Sequence, residues 1–517
     1  MSVIPHNPVF AGMVASVAIW IGTAFDGLGQ QPMPSRWWSP SQPERPHLEV
    51  PSYEGLFVMD EVPADPVAVA AAASSRICVV VEDALYASIS SGISQLSEDL
   101  KAAGHSTAIY RFTSGNAQNL RSYLAARYNE AASLEGAILI GNLPYVVYEL
   151  LQNWGGADEY EDFACDIFYM DLNGTWRDTN ATPPFVQGKL DTWTGDKAIE
   201  IWVSRIRVDN LGRLGSPDQV VNAYLTKNHA YRVRNWKSSV KALSYNDDDW
   251  ANLGPSDRDA IDTVYPETTA MVNGTNETTM ADYRDHRLPQ SFELISTRSH
   301  GSPGGHGYIQ HNPSQYVFFD ATNYVSMTPN SQFYSFFVCS GADYSAANNL
   351  AGLAVFSTNR SGLLAWGSTK TGGMWNDDSF YGALAGRESF GRAFRTWFNT
   401  NRQAGWAPQW WYGMVLIGDA SLHPSPHVAP LHTFRLNAVA LTNQVVLNWT
   451  DPLLCGMSTN IIQIRHGTAT YPANLADGES IYLGTNRFFM HSNVTAGSTH
   501  YYTIWVSHDG STFFAPP

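Results

Sequence analysis

The chain has 517 residues, enough at the usual ~150 residues per domain for about three domains. Its 31 Lys+Arg against 47 Asp+Glu give a net charge of −16, and only 15% of residues are charged, which argues against a basic nucleic-acid-binding face. A hydrophobic share of 44% with 13% aromatics excludes a disordered chain, and Cys78, Cys165, Cys339 and Cys455 are too far apart for a zinc motif or a disulfide framework. In chain order, residues 9–25 (VFAGMVASVAIWIGTAF) are uncharged and mostly apolar. Residues 1–25 are expected to be a secretory signal peptide, with a short uncleaved anchor or a buried helix as the rival readings. Residues 26–75, rich in Pro, Ser and Ala, read as an extended lead-in.

Regular structure is expected from residue 76. Ile77–Val81 is an apolar run of strand length, and Ile89, Ile93, Leu96 and Leu100 then recur at helical spacing up to Gly104. Thr107–Phe112 repeats the strand, Leu120, Leu124 and Tyr128 the helix, and Gly136–Gly141 (GAILIG) is a third buried strand. This alternation predicts an α/β fold with a mostly parallel sheet covered on both faces. Further strands are expected at Ile199–Val203, Val240–Tyr245, Phe292–Thr297, Ser335–Val338, Leu363–Gly367 and Met414–Ile417. Beyond residue 430 the pattern becomes short and alternating. Val445, Leu447 and Trp449 share one face, as do Tyr502, Ile504 and Val506, and Asp509-Gly510 signals a turn. An all-β immunoglobulin-like sandwich is expected over 430–517.

Ligands of open α/β sheets bind outside the carboxyl ends of the strands. Four of those ends carry reactive groups: Asn246-Asp247-Asp248-Asp249-Trp250, Arg298-Ser299-His300-Gly301, Cys339-Ser340-Gly341 and Ser368-Thr369-Lys370-Thr371. A thiol becomes a good nucleophile when a histidine takes its proton, so Cys339 and His300 fit acyl transfer. The N–H groups of Gly301 and Cys339 could stabilise a tetrahedral oxyanion, and a carboxylate among Asp247–Asp249 could orient the imidazole. His306 also precedes a glycine but lies farther from the strand end. Cys78, Cys165 and Cys455 read as packing residues. Asp171, Asn173, Thr175 and Asp178 resemble the start of a calcium loop, although Thr182 stands where its glutamate belongs; a plain turn is the other reading.

The stretches Glu293–Gly307 (ELISTRSHGSPGGHG), Phe336–Tyr344 (FFVCSGADY), Trp366–Trp375 (WGSTKTGGMW) and Leu416–Leu422 (LIGDASL), with Gly136–Tyr145 and Glu200–Val208, resemble the gingipain-type cysteine peptidases of the caspase-like clan. The resemblance spans residues 76–426 and implies a caspase-like three-layer sandwich of two subdomains, about 76–235 and 236–426. It also implies that Cys339 is the nucleophile, His300 the general acid/base and Asp249 the orienting carboxylate, with Trp375 and Asp248 assigned to substrate binding. The tail, through Trp449-Thr-Asp-Pro452 and Gly497-Ser-Thr-His-Tyr501, resembles a fibronectin type III domain. The function so implied is that of a secreted cysteine endopeptidase acting on protein or peptide substrates, with no required cofactor. A structural Ca2+ would fit the acidic surface and the calcium use of the family. The alternative is a catalytically silent caspase-like module whose tail contacts proteins or glycans at a cell surface. No long pro-domain is evident before the first strand, and the acids after Trp250 (Asp257, Asp259, Asp262) do not align with the family's pocket acid.

Overall fold

The computed structural model describes residues 37–63, 75–130, 134–152, 158–233, 239–266, 268–274, 276–311, 314–358, 360–403, 408–425, 436–450, 452, 461–507 and 513–514. The apolar segment 9–25, the turn Asp509-Gly510 and Cys455 lie outside them. Among the described residues no helix is long and apolar enough to cross a membrane.

Eleven strands form one large mixed sheet: β1 (Val58–Glu61), β2 (Ser75–Glu82), β3 (His105–Ser114), β4 (Leu134–Ile140), β5 (Trp202–Ile206), β6 (Ala242–Asn246), β7 (Thr269–Val272), β8 (Leu294–Arg298), β9 (Phe333–Phe337), β10 (Leu364–Ser368) and β11 (Met414–Gly418). Their order is β1-β3-β2-β4-β5-β11-β10-β9-β8-β6-β7, parallel throughout except for β1 against β3 and β11 against β10. The continuous apolar runs place β2 and β4 in the interior. Ile77–Val81 is fully buried, as are Ala137–Ile140, and a fully buried Val, Leu or Ile contributes roughly 1.5–3 kcal/mol each.

The sheet falls into two halves with the same internal order. In β3-β2-β4-β5, and again in β7-β6-β8-β9, the second strand of the half lies outermost and the first beside it. Because β11 is parallel to β5 but antiparallel to β10, the halves run in opposite directions. The carboxyl ends of β6, β8, β9 and β10 therefore share one edge.

The first half follows its sequence signals closely. The helix Asp83–Ala102 buries Ile89, Ile93, Leu96 and Leu100 and stops before Gly104, whose φ of +85° suits a residue without a Cβ. Helix Ala117–Tyr128 begins with a reciprocal cap, Asn119 N–H donating to Asn116 Oδ1 at 2.9 Å and Asn116 N–H to Asn119 Oδ1 at 3.2 Å.

Residues 37–63 of the lead-in pack onto the large domain. Trp38 N–H donates to Gly301 O at 2.9 Å, Leu48 N–H to Asp162 Oδ1 at 3.0 Å, and β1 pairs with the edge strand β3.

After the large sheet come small antiparallel sheets. One joins β12 (Leu436–Ala440), β13 (Gln444–Trp449) and β16 (Phe488–Ser492); the other joins β15 (Glu479–Gly484), β14 (Ile462–Gly467), β17 (Tyr501–Ser507) and β18 (Phe513–Phe514). They share one small core of Val445, Leu447, Trp449, Ile462, Ile464, Ile504 and Val506, with Tyr502 packed on its margin.

Candidate active site

Strand register sets the site. β8 and β9 pair with Arg298 opposite Phe337, so His300 and Cys339 each lie two residues past the same rung, on strands ~4.8 Å apart. On β6, Asn246 sits opposite Arg298, which brings Asp248 to the same level. On β10, Gly367 pairs with Phe336, and the chain then delivers Thr371, whose Oγ1 is 3.8 Å from Cys339 Sγ.

His300 Nε2 lies 2.7 Å from Asp249 Oδ2. The imidazole is also held by aromatic rings, Trp250 at 4.7 Å and, edge-on, Tyr316 at 5.2 Å between centroids. His300 and Cys339 are each 1% exposed, whereas the Asp249 side chain is 35% exposed.

The turn after β9 is sharp. Ser340 has φ +50°, an uncommon left-handed conformation for a non-glycine residue. Its N–H donates to Lys370 O at 2.9 Å, and that of Gly341 to Val338 O at 3.0 Å. Gly301 has φ +149°, and a Cβ there would stand 2.2 Å from Gly305 O and 2.8 Å from Val338 Cγ1. Only glycine fits where the turn after His300 meets the turn before Cys339.

Burial pushes the Cys78 thiol up to about 12 and the Cys165 thiol up as well, and Cys165 Sγ donates to Tyr412 O at 3.1 Å. Both are packing thiols. Cys339 lies close enough to Lys370 to act on it electrostatically. Lys370 is fully buried; burial lowers its pKa, and Glu161 opposes that from 3.3 Å. Glu161 also pairs with Arg45 of the lead-in. Glu161 and Arg45 carry no sequence signal; Lys370, two residues past an apolar strand, does.

The neighbouring acids have different surroundings. Asp247 is fully buried and accepts from Ile309 N–H at 3.3 Å; burial pushes its carboxyl up to about 8. Asp248 is half-buried, its Oδ1 3.4 Å from Thr278 Oγ1. Asp257 forms a buried pair with Arg298, and Asp259 an exposed one with Arg258. Trp375 is 5% exposed, its ring against Phe337 and the Arg298 guanidinium.

His306 is fully buried among Tyr283, Phe319 and Phe336, and burial holds it down to about 3, so it is neutral at neutral pH. At Asp171, Oδ1 accepts from the Asn173 and Gly174 N–H groups and Oδ2 from the Trp176 and Trp193 indoles.

The strand ends bring Asp249, His300 and Cys339 to one edge of the sheet. In comparisons with known proteins, the chain matches no family model and no curated protein.

Proposed function

We propose that the chain is a cysteine endopeptidase of the gingipain type, with a caspase-like three-layer catalytic domain and a fibronectin type III-like tail, acting outside the cell on proteins or peptides. The observation that carries this reading is the 2.7 Å contact between His300 Nε2 and Asp249 Oδ2 on the same strand-end edge as Cys339. In this reading Cys339 gives its proton to His300 Nδ1, and the thiolate attacks the substrate's peptide carbonyl carbon. The carbonyl π pair moves to oxygen, where the N–H groups of Gly301 and Cys339 stabilise the oxyanion. Collapse breaks the C–N bond, the amine leaves with the proton from His300, and a thioester remains on Cys339. Water, deprotonated by His300, then hydrolyses the thioester and restores the thiol. No metal takes part in these steps. Trp375 and Asp248 are assigned to the substrate side of the site, and the tail to contacts with surface proteins or glycans.

The test is a thiolate-directed probe combined with a positional peptide library, each with and without Ca2+. The reading expects labelling of Cys339 that disappears in His300→Ala, together with Cys339-dependent cleavage. Absence of both labelling and cleavage under all conditions would leave the alternative, a silent binding module.

A further inference from the structure

We propose that the C-terminal sheets carry a binding site for a divalent transition-metal cation of the zinc class, formed by His466, Glu479 and His491. The three residues come from different strands. His466 on β14 pairs directly with Glu479 on β15, while His491 on β16 belongs to the other small sheet, opposite Val445. One potential ligand atom from each lies within 4.8 Å of the others, the two imidazole centroids are 4.7 Å apart, and His466 Nδ1 is 3.7 Å from Glu479 Oε2.

The remaining ring nitrogens are already oriented. His466 Nε2 lies 2.9 Å from His500 Nδ1, and His491 Nδ1 lies 3.0 Å from Tyr502 Oη. With His466 Nε2–H donating to His500 Nδ1, Nδ1 of His466 carries a lone pair; with His491 Nδ1–H donating to Tyr502 Oη, Nε2 of His491 carries a lone pair for a cation. Outer partners that fix tautomer and ring direction are the usual companions of metal-bound histidines.

Two imidazoles and a carboxylate suit zinc and its neighbours rather than calcium, which takes oxygen ligands. Zinc–nitrogen bonds of about 2.0–2.1 Å in a tetrahedron separate ligand atoms by ~3.3 Å, so the 3.7 Å pair closes with a small movement of Glu479. That side chain is 71% exposed and free to swing, and water can complete the coordination. Such an ion would clip together two sheets whose shared core, among the described residues, is seven buried side chains.

The test uses the full-length chain with Cys339→Ser, so that the thiol at the other site does not compete, stripped with chelator and titrated with ZnCl2 by calorimetry. One equivalent of Zn2+ should bind and raise the unfolding temperature of the tail. Glu479→Gln, at an exposed position that leaves packing intact, and His491→Ala should weaken binding by at least about 100-fold. His500→Ala should weaken it about 10- to 100-fold, as for lost outer partners, and Ca2+ should bind nowhere in this cluster. The proposal is overturned if no single-equivalent binding is seen, or if Glu479→Gln, folded by circular dichroism, binds Zn2+ as tightly as its parent.

Discussion

Replacing Asp249 by Asn preserves the shape of the side chain and removes its charge. In the native chain Asp249 Oδ2 contacts His300 Nε2 at 2.7 Å, a hydrogen bond that becomes charge-assisted when the imidazole takes a proton. Bonds to charged groups are worth about 1.5–3 kcal/mol, which at ~1.36 kcal/mol per decade is about 10- to 150-fold in rate. The carboxylate is 35% exposed, so water can partly replace it, and the lower half of that range is expected. The assay is the second-order rate of Cys339 alkylation by iodoacetamide as a function of pH, which needs no knowledge of substrate preference. Asp249→Asn should slow alkylation near neutral pH about 10- to 40-fold and move the profile to higher pH, because less imidazolium is available to pair with the thiolate. Asp249→Glu should recover part of the loss. If the Asn variant stays within about twofold of the native rate and keeps its pH profile, Asp249 has no orienting role.

Asp247, with its carboxyl pushed up to about 8 by burial, lowers stability as pH rises from about 4 to 8; Asp247→Asn should therefore raise stability at pH 7 by up to roughly 4 kcal/mol in urea unfolding, with the gain vanishing below pH 4. Gly301→Ala should destabilise the hairpin from His300 and abolish Cys339 labelling, because its Cβ meets Gly305 O at 2.2 Å; an unchanged melting curve would contradict this. Burial raises the Glu161 carboxyl, but Lys370 and Arg45 outweigh it and hold it at about 2, so its contribution is full above about pH 4.5 and lost toward pH 2. Arg45→Ala should cost about 2 kcal/mol at pH 7, less than the 3–5 kcal/mol of an uncompensated buried charge because Lys370 remains, and its deficit in urea titrations should narrow as pH falls from 4.5 to 2.

The parts of the fold that could be read in advance are those where local pattern and burial agree. Ile77–Val81 and Ala137–Ile140 are apolar without interruption and are central strands. β5 was expected at Ile199–Val203 and runs Trp202–Ile206, because Ser204 and Arg205 look polar in sequence. Arg205 is buried through its pair with Asp166 and its bonds to the carbonyls of Leu143 and Pro144, partners some forty and sixty residues away. The hairpin Gly305–His311 and Ser314–Asp320 was invisible behind a Gly- and His-rich stretch. The lead-in gave no periodic signal because β1 is a four-residue edge strand with exposed side chains.

The site was legible to the extent that its members follow strands. His300 and Cys339 could be placed beside each other because each closes a parallel strand, and Asp249 because it follows β6. The support from Lys370, Glu161 and Arg45 depends on three segments that only tertiary structure brings together. The same holds for His466, Glu479 and His491, whose cross-strand neighbours cannot be read from an alternating pattern without the register.

The most direct test of the central claim is mass spectrometry of an acid-quenched peptide digestion. The account predicts a substrate-derived acyl group in thioester linkage on Cys339, accumulating before product release and absent from both Cys339→Ser and His300→Ala. Peptide cleavage that persists in Cys339→Ser, or a folded native chain that neither cleaves nor acquires an acyl group on Cys339, would contradict it.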